Sequence, residues 1–204
     1  MGKKKYLDSS LLDRAICFAV KAHANTERKG KGFPYIVHPL EAVVIVSTIT
    51  SDQELLAAAA LHDTLEDTDT TYEQLEHEFG KRVADLVAHE SDVKLEGDAS
   101  ATWHLRKQIA IEHLEEAPID AKIVALGDKL SNMRIIARDY AKIGDNISEF
   151  INDANYVQPV FGFLLCMAHA SHCLRLPYFT LIKKCWAKSP TYSCCVIIIA
   201  KAVT

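Results

Sequence analysis

Cysteine is scarce in most of this 204-residue chain, because residues 1–150 contain only Cys17. The other five cysteines follow residue 150, and none of the six forms a paired CxxC arrangement. That spacing gives no sign of a cysteine-based metal or redox pair, and we assign the cysteines no disulfide framework.

Long clusters of basic residues are also missing, and the net charge is −4, so the sequence predicts no nucleic-acid partner. Neither a P-loop nor a dinucleotide-binding glycine fingerprint occurs. The apolar run CCVIIIA is too short to cross a bilayer, so no membrane partner is predicted. No apolar signal core follows the opening MGKKKY, and we therefore expect a cytoplasmic protein. The sequence predicts no particular oligomeric state.

Strand-like alternation and hairpin turn pairs are absent from the first 150 residues, where apolar side chains recur at helical spacing instead. Expected helices cover residues 9–23, 52–67, 81–90 and 102–116. Others open at His38-Pro39, at a capping box of Thr71 and Gln74, and at Pro118. The sequence therefore predicts an all-α fold with its helices packed around one core.

Composition changes near residue 150. Residues 151–204 carry one acid against five Lys and Arg, a balance of +4, which leaves −8 for the rest of the chain. The late cysteines mark the same boundary. Two domains are therefore expected, 1–150 and an atypical C-terminal segment, 151–204, of uncertain structure.

Acidic residues are concentrated where the third predicted helix ends. The run QELLAAAA leads into His62-Asp63, Glu66-Asp67 and Asp69. Like charges one turn apart repel, and acids are disfavoured at a helix C-terminus. On a continuous helix the first four of these side chains would share one arc, and imidazole beside carboxylate suits Mn²⁺, Fe²⁺ or Zn²⁺. A metal site is one interpretation, and a merely solvated acidic helix end is the other.

Two distant segments add residues of the same kind. YIVHPLEAV places His38 at the start of a helix, and ALGDKLSN places Asp128 in an apolar helical stretch with Asn132 one turn later. Each of them alone would be read as a cap or a solvated side chain. Together with His62 and Asp63 they give the pattern H…HD…D.

That pattern resembles the HD metal-dependent phosphohydrolase superfamily. The stretches RKGKGFPYIVHP, LLAAAALHDTLEDTDTTYEQLEHEFG, TWHLRKQIAIEHL and KIVALGDKLSNMR look like the hydrolase domain of RelA/SpoT homologues, of the small alarmone hydrolase type. The resemblance covers about residues 11–140. It implies an HD-domain multi-helix bundle for residues 1–150, with a metal site in its core cleft.

The resemblance also implies an activity, the hydrolysis of ppGpp and pppGpp, guanine nucleotides, to GDP or GTP and pyrophosphate. One divalent metal, typically Mn²⁺, would be held by His38, His62, Asp63 and Asp128. Glu66 and Asp67 match the catalytic acidic pair, which would orient and deprotonate the attacking water. Contacts to the nucleotide are implied for Arg28, Lys29 and Asn132.

Two alternatives stay open beside this hypothesis. One is an HD phosphohydrolase that acts on other nucleotides, and the other is a catalytically impaired nucleotide-binding regulatory module. The unusual segment after residue 150 favours the second alternative, whereas the intact Glu66 and Asp67 oppose it. Gly127, inside the helix that carries Asp128, weakens that helix by up to about 1 kcal/mol relative to alanine, but it permits close packing near the metal.

Overall fold

The structure is a computed structural model, and it describes residues 10–28, 31–91, 105, 109, 112–114 and 116–143, without the side chains at 136, 137, 139–141 and 143. Lys29 and the expected segment 151–204 lie outside these ranges. The chain divides into two compact units: Met1–Ser91 with Pro118–Asp128, and Asp92–Ala117 with Lys129–Thr204. All four predicted metal ligands belong to the first unit. The division of the sequence at residue 150 stays a prediction.

The described helices follow the order expected from the sequence. Their bounds are α1 Ser10–Ala22, α2 Val37–Ser47, α3 Gln53–Leu61, α4 Thr64–Asp67, α5 Tyr72–Phe79, α6 Lys81–Glu90 and α7 Ile119–Ile143. Among the described residues the only β feature is an isolated bridge between Glu27 and Pro34, so the all-α fold is confirmed. None of the described helices is both long and apolar enough to cross a membrane.

Helix α3 forms the centre of the core. It packs against α1, α2 and α6, and all of its residues from Leu55 to Leu61 are buried. Small alanine side chains let the neighbouring helices approach, while each fully buried leucine contributes about 1.5–3 kcal/mol. The Asp52 carboxylate caps the helix by accepting a hydrogen bond from the Glu54 amide at 2.9 Å.

The helix is interrupted between α3, which ends at Leu61, and α4, which begins at Thr64. The expectation of one continuous helix over residues 52–67 was therefore wrong. The reason is local. His62 Nδ1 donates to the Ala59 carbonyl at 2.9 Å, and Thr64 Oγ1 donates to the Leu61 carbonyl at 2.7 Å. Side chains thus bond carbonyls that a continuous helix would offer to its own amides. The break turns the His62-Asp63 pair inward at the end of α3, where His62 is buried.

The capping-box signal at the start of α5 is confirmed. Thr71 and Gln74 form the expected capping box, and Gly80 ends the helix with a φ of 87°. Gly127 has the expected packing role in α7. A Cβ atom there would lie 2.8 Å from Val46 Cγ2 and 3.0 Å from the Ala42 carbonyl oxygen, so only glycine lets α7 approach α2 this closely. The approach brings the adjacent Asp128 toward the N-terminal end of α2.

An ion cluster joins α6 to two other segments of this unit. Arg82 Nη2 lies 2.9 Å from Asp52 Oδ2 and 2.7 Å from Asp120 Oδ2, and Arg82 Nη1 contacts Glu54. We call these four residues the Arg82 cluster. Its side chains are 36–40% exposed, so water screens the attractions, and the cluster holds the α3 N-terminus, α6 and the start of α7 together at the surface.

Candidate metal centre

Two histidines from different helices meet in the interior. His38 is the second residue of α2, and His62 follows α3 directly. Each is 2% exposed, and their Nε2 atoms lie 3.2 Å apart. Because the Ala59 carbonyl accepts a hydrogen bond from His62 Nδ1, the proton of the neutral ring is on Nδ1. In that neutral form the Nε2 lone pair of His62 faces His38, as in a metal-binding imidazole.

Two carboxylates face the same point. Asp63 Oδ2 lies 3.0 Å from His62 Nε2 and 3.4 Å from His38 Nε2. Asp128 Oδ1 lies 3.0 Å from His38 Nε2 and 3.6 Å from His62 Nε2. We call His38, His62, Asp63 and Asp128 the metal centre. Four sequence-predicted residues from three segments are thus brought together.

These distances suit a shared divalent ion. Ligand atoms bound at about 2.1 Å and separated by angles of about 90–109° lie about 3.0–3.4 Å from one another. The five measured separations, which join the two Nε2 atoms to each other and to one oxygen each of Asp63 and Asp128, run from 3.0 to 3.6 Å. The ligand atoms of His38, His62 and Asp128 all lie within 4.8 Å of one another. Two imidazole nitrogens with carboxylate oxygens are a donor set for transition metals. The residues present therefore fit a divalent metal.

The charges of the centre favour a cation as well. Burial opposes the charged form of His62, but the carboxylates of Asp63 and Asp128 outweigh it, so the pKa of His62 is raised well above 6.5. Burial would raise the pKa of Asp63, yet His62, with a smaller effect of His38, holds that pKa below its usual value. The Asp63 carboxylate therefore stays negatively charged, and the carboxylates of the centre stabilise a positive charge beside them. A divalent ion is stabilised by the same field and competes with protons for the site.

Tyr35 was missed by the sequence analysis. Its hydroxyl lies 2.7 Å from Asp63 Oδ2 and 2.7 Å from Asp67 Oδ2, so it joins the metal centre to α4. Burial, together with these two carboxylates, raises the pKa of Tyr35 above 10, which keeps the phenol protonated and a hydrogen-bond donor. The only signal in the sequence was its place between Arg28 and His38, inside RKGKGFPYIVHP.

His23, which packs against the ring of Tyr35, was also missed by the sequence analysis. It is 3% exposed, and its ring stacks on that of Tyr35 with centroids 4.8 Å apart. Neither ring nitrogen of His23 has a hydrogen-bond partner among the described residues. Burial lowers the pKa of His23, although Asp63 and Asp67 partly oppose that effect.

The other predicted site residues take different positions. Glu66 and Asp67 are exposed on the single turn of α4, and Asp67 contacts Tyr35. Arg28 is half-buried, with its Cζ 5.2 Å from the centroid of the Tyr35 ring. Asn132 is half-buried in α7, four residues after Asp128, and belongs to the second unit. Lys29 is outside the described residues.

Comparison with known proteins assigns the family. The model of the HD domain matches residues 15–150. The chain is an HD-domain protein. This HD-domain protein is 40% identical over 134 residues to the guanosine-3′,5′-bis(diphosphate) 3′-pyrophosphohydrolase MESH1 of Danio rerio, a match covering 64% of the chain and 71% of the relative.

Two further relatives place the HD-domain protein among similar enzymes. The guanosine-3′,5′-bis(diphosphate) 3′-pyrophosphohydrolase of Aquifex aeolicus is 37% identical over 126 residues, which are 61% of this chain but only 18% of that longer relative. A solved structure, described as a metazoan ortholog of SpoT that hydrolyzes ppGpp, matches with a TM-score of 0.57 and 32% identity, over 64% of this chain and 72% of that one. The resemblance to RelA/SpoT homologues is therefore confirmed.

Proposed function

We propose that this protein is a metal-dependent guanosine-3′,5′-bis(diphosphate) 3′-pyrophosphohydrolase that converts ppGpp or pppGpp to GDP or GTP and pyrophosphate. The observation that carries the proposal is the metal centre, where the Nε2 atoms of His38 and His62 lie 3.2 Å apart and one oxygen each of Asp63 and Asp128 lies 3.0–3.6 Å from both. Its relatives with this activity match about two thirds of the chain. The cytoplasmic location stays a prediction from the sequence.

We assign the water-activating work to the acidic pair of α4. Glu66 and Asp67 are exposed, so water and substrate can reach them, and Tyr35 connects Asp67 to the metal centre. A carboxylate within hydrogen-bond reach of a water can accept its proton as that water attacks phosphorus. The new oxygen–phosphorus bond forms as the bond to the ribose 3′ oxygen breaks, and that oxygen leaves with a proton as the 3′-hydroxyl.

Arg28 is the described side chain best suited to hold the phosphates. Its guanidinium is planar and permanently charged, and it lies near the ring of Tyr35 beside the metal centre. Lys29 and Asn132 are proposed as further contacts to the nucleotide, on the resemblance alone.

For the metal we propose Mn²⁺. A bound divalent ion lowers the pKa of water and polarises a phosphoryl oxygen. Mixed imidazole and carboxylate ligands suit Mn²⁺, Fe²⁺ or Zn²⁺ better than Ca²⁺. Metal-free protein loaded with each ion in turn should bind Ca²⁺ weakest, and its turnover of ppGpp should be highest with Mn²⁺.

The direct test is incubation of purified protein with Mn²⁺ and ppGpp, with the products separated by anion-exchange chromatography. GDP and pyrophosphate in equal amounts are expected, and a chelator should stop their release. Hydrolysis of other nucleotides alone would favour a different HD phosphohydrolase. Tight binding of ppGpp without turnover would favour a regulatory module.

Two variants separate metal binding from water activation. Asp63→Ala should lose the metal, because Asp63 Oδ2 faces both histidines. Glu66→Ala should keep the metal and lose rate. Asp85→Ala is a matched control, since Asp85 pairs with Lys81 on α6 and does not belong to the centre. Equal metal loss in Asp63→Ala and Glu66→Ala would contradict this division of roles.

A further inference from the structure

The hydroxyl of Tyr35 lies between two carboxylates that the proposed reaction uses differently. We infer that Tyr35 is a positioning residue, whose hydroxyl contacts both Asp67 and Asp63 and so fixes the carboxylate of Asp67 relative to the metal centre. The inference rests on the proposed function, because Asp67 is taken as part of the water-activating pair.

Distances carry the first step. The Tyr35 oxygen is 2.7 Å from Asp63 Oδ2 and 2.7 Å from Asp67 Oδ2, so the two carboxylate oxygens cannot be farther apart than twice that length. Asp63 Oδ2 is also the oxygen that faces His38 and His62. One phenol oxygen therefore connects Asp67 to an atom that belongs to the metal centre itself.

Within the described ranges, the contact that sets the direction of the Asp67 side chain is the one with Tyr35. Asp67 is the last residue of α4, a helix of four residues, and it is exposed. An exposed aspartate at a helix end is free to sample several rotamers. A general base, however, must come within about 2.6–3.2 Å of the proton that it removes. The bond from Tyr35 selects the rotamer that faces the centre.

Tyr35 is itself held firmly enough for this role. His23 stacks on its ring, and the edge of His38 lies against it with centroids 6.0 Å apart at 82°. The Tyr35 amide donates to the Thr26 carbonyl at 2.8 Å. A side chain fixed by ring contacts and a backbone bond can transmit a defined position, which a flexible surface residue cannot.

The ring and the hydroxyl of Tyr35 serve different partners. The ring lies 5.2 Å from the guanidinium carbon of Arg28, within the range of a cation–π contact, whereas the hydroxyl, which has a single proton to donate, lies 2.7 Å from both the Asp63 and the Asp67 carboxylate. Removing the hydroxyl should therefore affect turnover, and removing the ring should in addition affect nucleotide binding.

The first experiment compares Tyr35→Phe with the wild type at saturating Mn²⁺. We expect kcat for ppGpp to fall about 10–100-fold with KM unchanged, the loss typical of an outer partner of a metal ligand. Tyr72→Phe is the matched control. It also removes a hydroxyl that lies 2.7 Å from a carboxylate oxygen, Asp85 Oδ1, but this pair does not belong to the metal centre. Tyr35→Leu should add a rise in KM. Unchanged kcat in Tyr35→Phe would overturn the inference.

A double-mutant cycle tests whether Tyr35 acts through Asp67. In an Asp67→Asn background, Tyr35→Phe should cause little further loss of kcat, because the base to be positioned is already gone. If Tyr35→Phe acted only by disturbing the structure, its fold-loss in kcat would be the same in the Asp67→Asn background as in the wild type. Full additivity of the two losses would therefore reject the positioning role.

A readout without substrate keeps the inference separate from the proposed function. Mn²⁺ affinity, measured by electron paramagnetic resonance, should weaken about tenfold in Tyr35→Phe, because the partner of Asp63 is removed. It should not change in Tyr72→Phe. If the wild type releases no pyrophosphate from ppGpp, the proposed function fails, while the Mn²⁺ measurement still decides the link to Asp63. Equal affinities in wild type and Tyr35→Phe would contradict that link.

Discussion

The metal centre and the Arg82 cluster both gather carboxylates from distant segments, but they neutralise them differently. In the Arg82 cluster three carboxylates surround one guanidinium, whose charge is permanent and whose pKa their hydrogen bonds raise further. In the metal centre two carboxylates meet two imidazoles, which serve equally as proton carriers or as neutral lone-pair donors.

Burial widens the difference. The Arg82 side chain is 40% exposed, whereas the His38 and His62 side chains are each 1% exposed. Exposed ion pairs contribute little, because water screens them, whereas charges buried in the interior need strong compensation. The Arg82 cluster carries its cation in the chain and connects helices. The metal centre presents donors arranged for an ion from solution, which is the physical basis for reading one as structural and the other as functional.

Loss of a proposed metal ligand gives the largest contrast between the two clusters. Asp128→Asn should weaken Mn²⁺ binding by more than about 100-fold, because even outer partners of metal ligands contribute about 10–100-fold. Wild-type protein should gain about 2.7 kcal/mol of unfolding free energy when Mn²⁺ is at 100 times its Kd, and the variant should not. Thermal unfolding with and without Mn²⁺ measures both. The control, Arg82→Gln, should keep the full Mn²⁺-dependent gain in unfolding free energy. If Arg82→Gln also lost this gain, the two clusters would not differ in metal binding.

Gly127→Ala tests how packing supports the centre. The added Cβ would lie 2.8 Å from Val46 Cγ2 and 3.0 Å from the Ala42 carbonyl oxygen, so α7 must shift. We expect a loss of about 1–3 kcal/mol from overpacking, less the gain of up to about 1 kcal/mol in helix propensity. Mn²⁺ affinity should fall too, because Asp128 is the next residue. Denaturant unfolding and Mn²⁺ titration measure the two effects.

A second substitution checks the cause. Val46→Ala removes the nearest side-chain atom, so it should restore part of the stability of Gly127→Ala, whereas the contact with the Ala42 carbonyl remains. If Val46→Ala and Gly127→Ala destabilise the protein independently, the close approach of α7 and α2 is not what requires the glycine.

The third contrast is smaller and concerns the surface. Arg82→Gln should cost up to about 1 kcal/mol, since the cluster is exposed, and the cost should shrink at high salt. Hydrogen bonding to Arg82 lowers the pKa of Asp52 below 3.8, so this stabilisation is present above that pH and is lost as pH falls through the lower, folded-state pKa. Unfolding at several pH values and salt concentrations tests this. A cost that is equal at low and high salt would contradict the electrostatic account.

The meeting of the four residues of the metal centre could be predicted from the sequence because their side chains are of metal-binding types, whereas their role as ligands stays a prediction. His38, the His62-Asp63 pair and Asp128 are ligand types set in otherwise apolar helical segments, and the resemblance to HD-domain proteins joined them. Gly127 could be anticipated in the same way, since a glycine in a helix interior needs a packing reason. The helix bounds followed from periodicity and capping, as the match of α6 to the expected 81–90 illustrates.

What could not be predicted depends on local bonds and on tertiary contact. The break after α3 arises from side chains that bond the Ala59 and Leu61 carbonyls, which helix propensity does not encode. Tyr35 has no ligand signature, and its role emerges only when α4 brings Asp67 within 2.7 Å. The burial of His23, whose ring nitrogens have no hydrogen-bond partner within the described part of the chain, likewise could not be predicted, because histidine is also common at protein surfaces.

The smallest expected effect concerns His23, a buried histidine that, unlike His38 and His62, is not part of the metal centre. His23→Phe should keep the ring stack on Tyr35 and remove two nitrogens that have no partner among the described residues, so the unfolding free energy should rise by ~0.5 kcal/mol in chelator. The pKa of His23 is below 6.5 in the folded protein, so as pH falls through 6.5 the unfolded chain binds a proton that the folded chain resists.

Wild-type protein should therefore lose stability relative to His23→Phe as pH falls below 6.5, and the difference should stop growing below the folded-state pKa. The groups that act on His23, namely Asp63, Asp67, His62 and His38, are present in both proteins, so their own titrations largely cancel in the difference. Urea unfolding from about pH 8 to about pH 5 measures it. Parallel curves would mean that His23 gains a proton as easily in the folded chain as in the unfolded one, and that burial does not set its pKa.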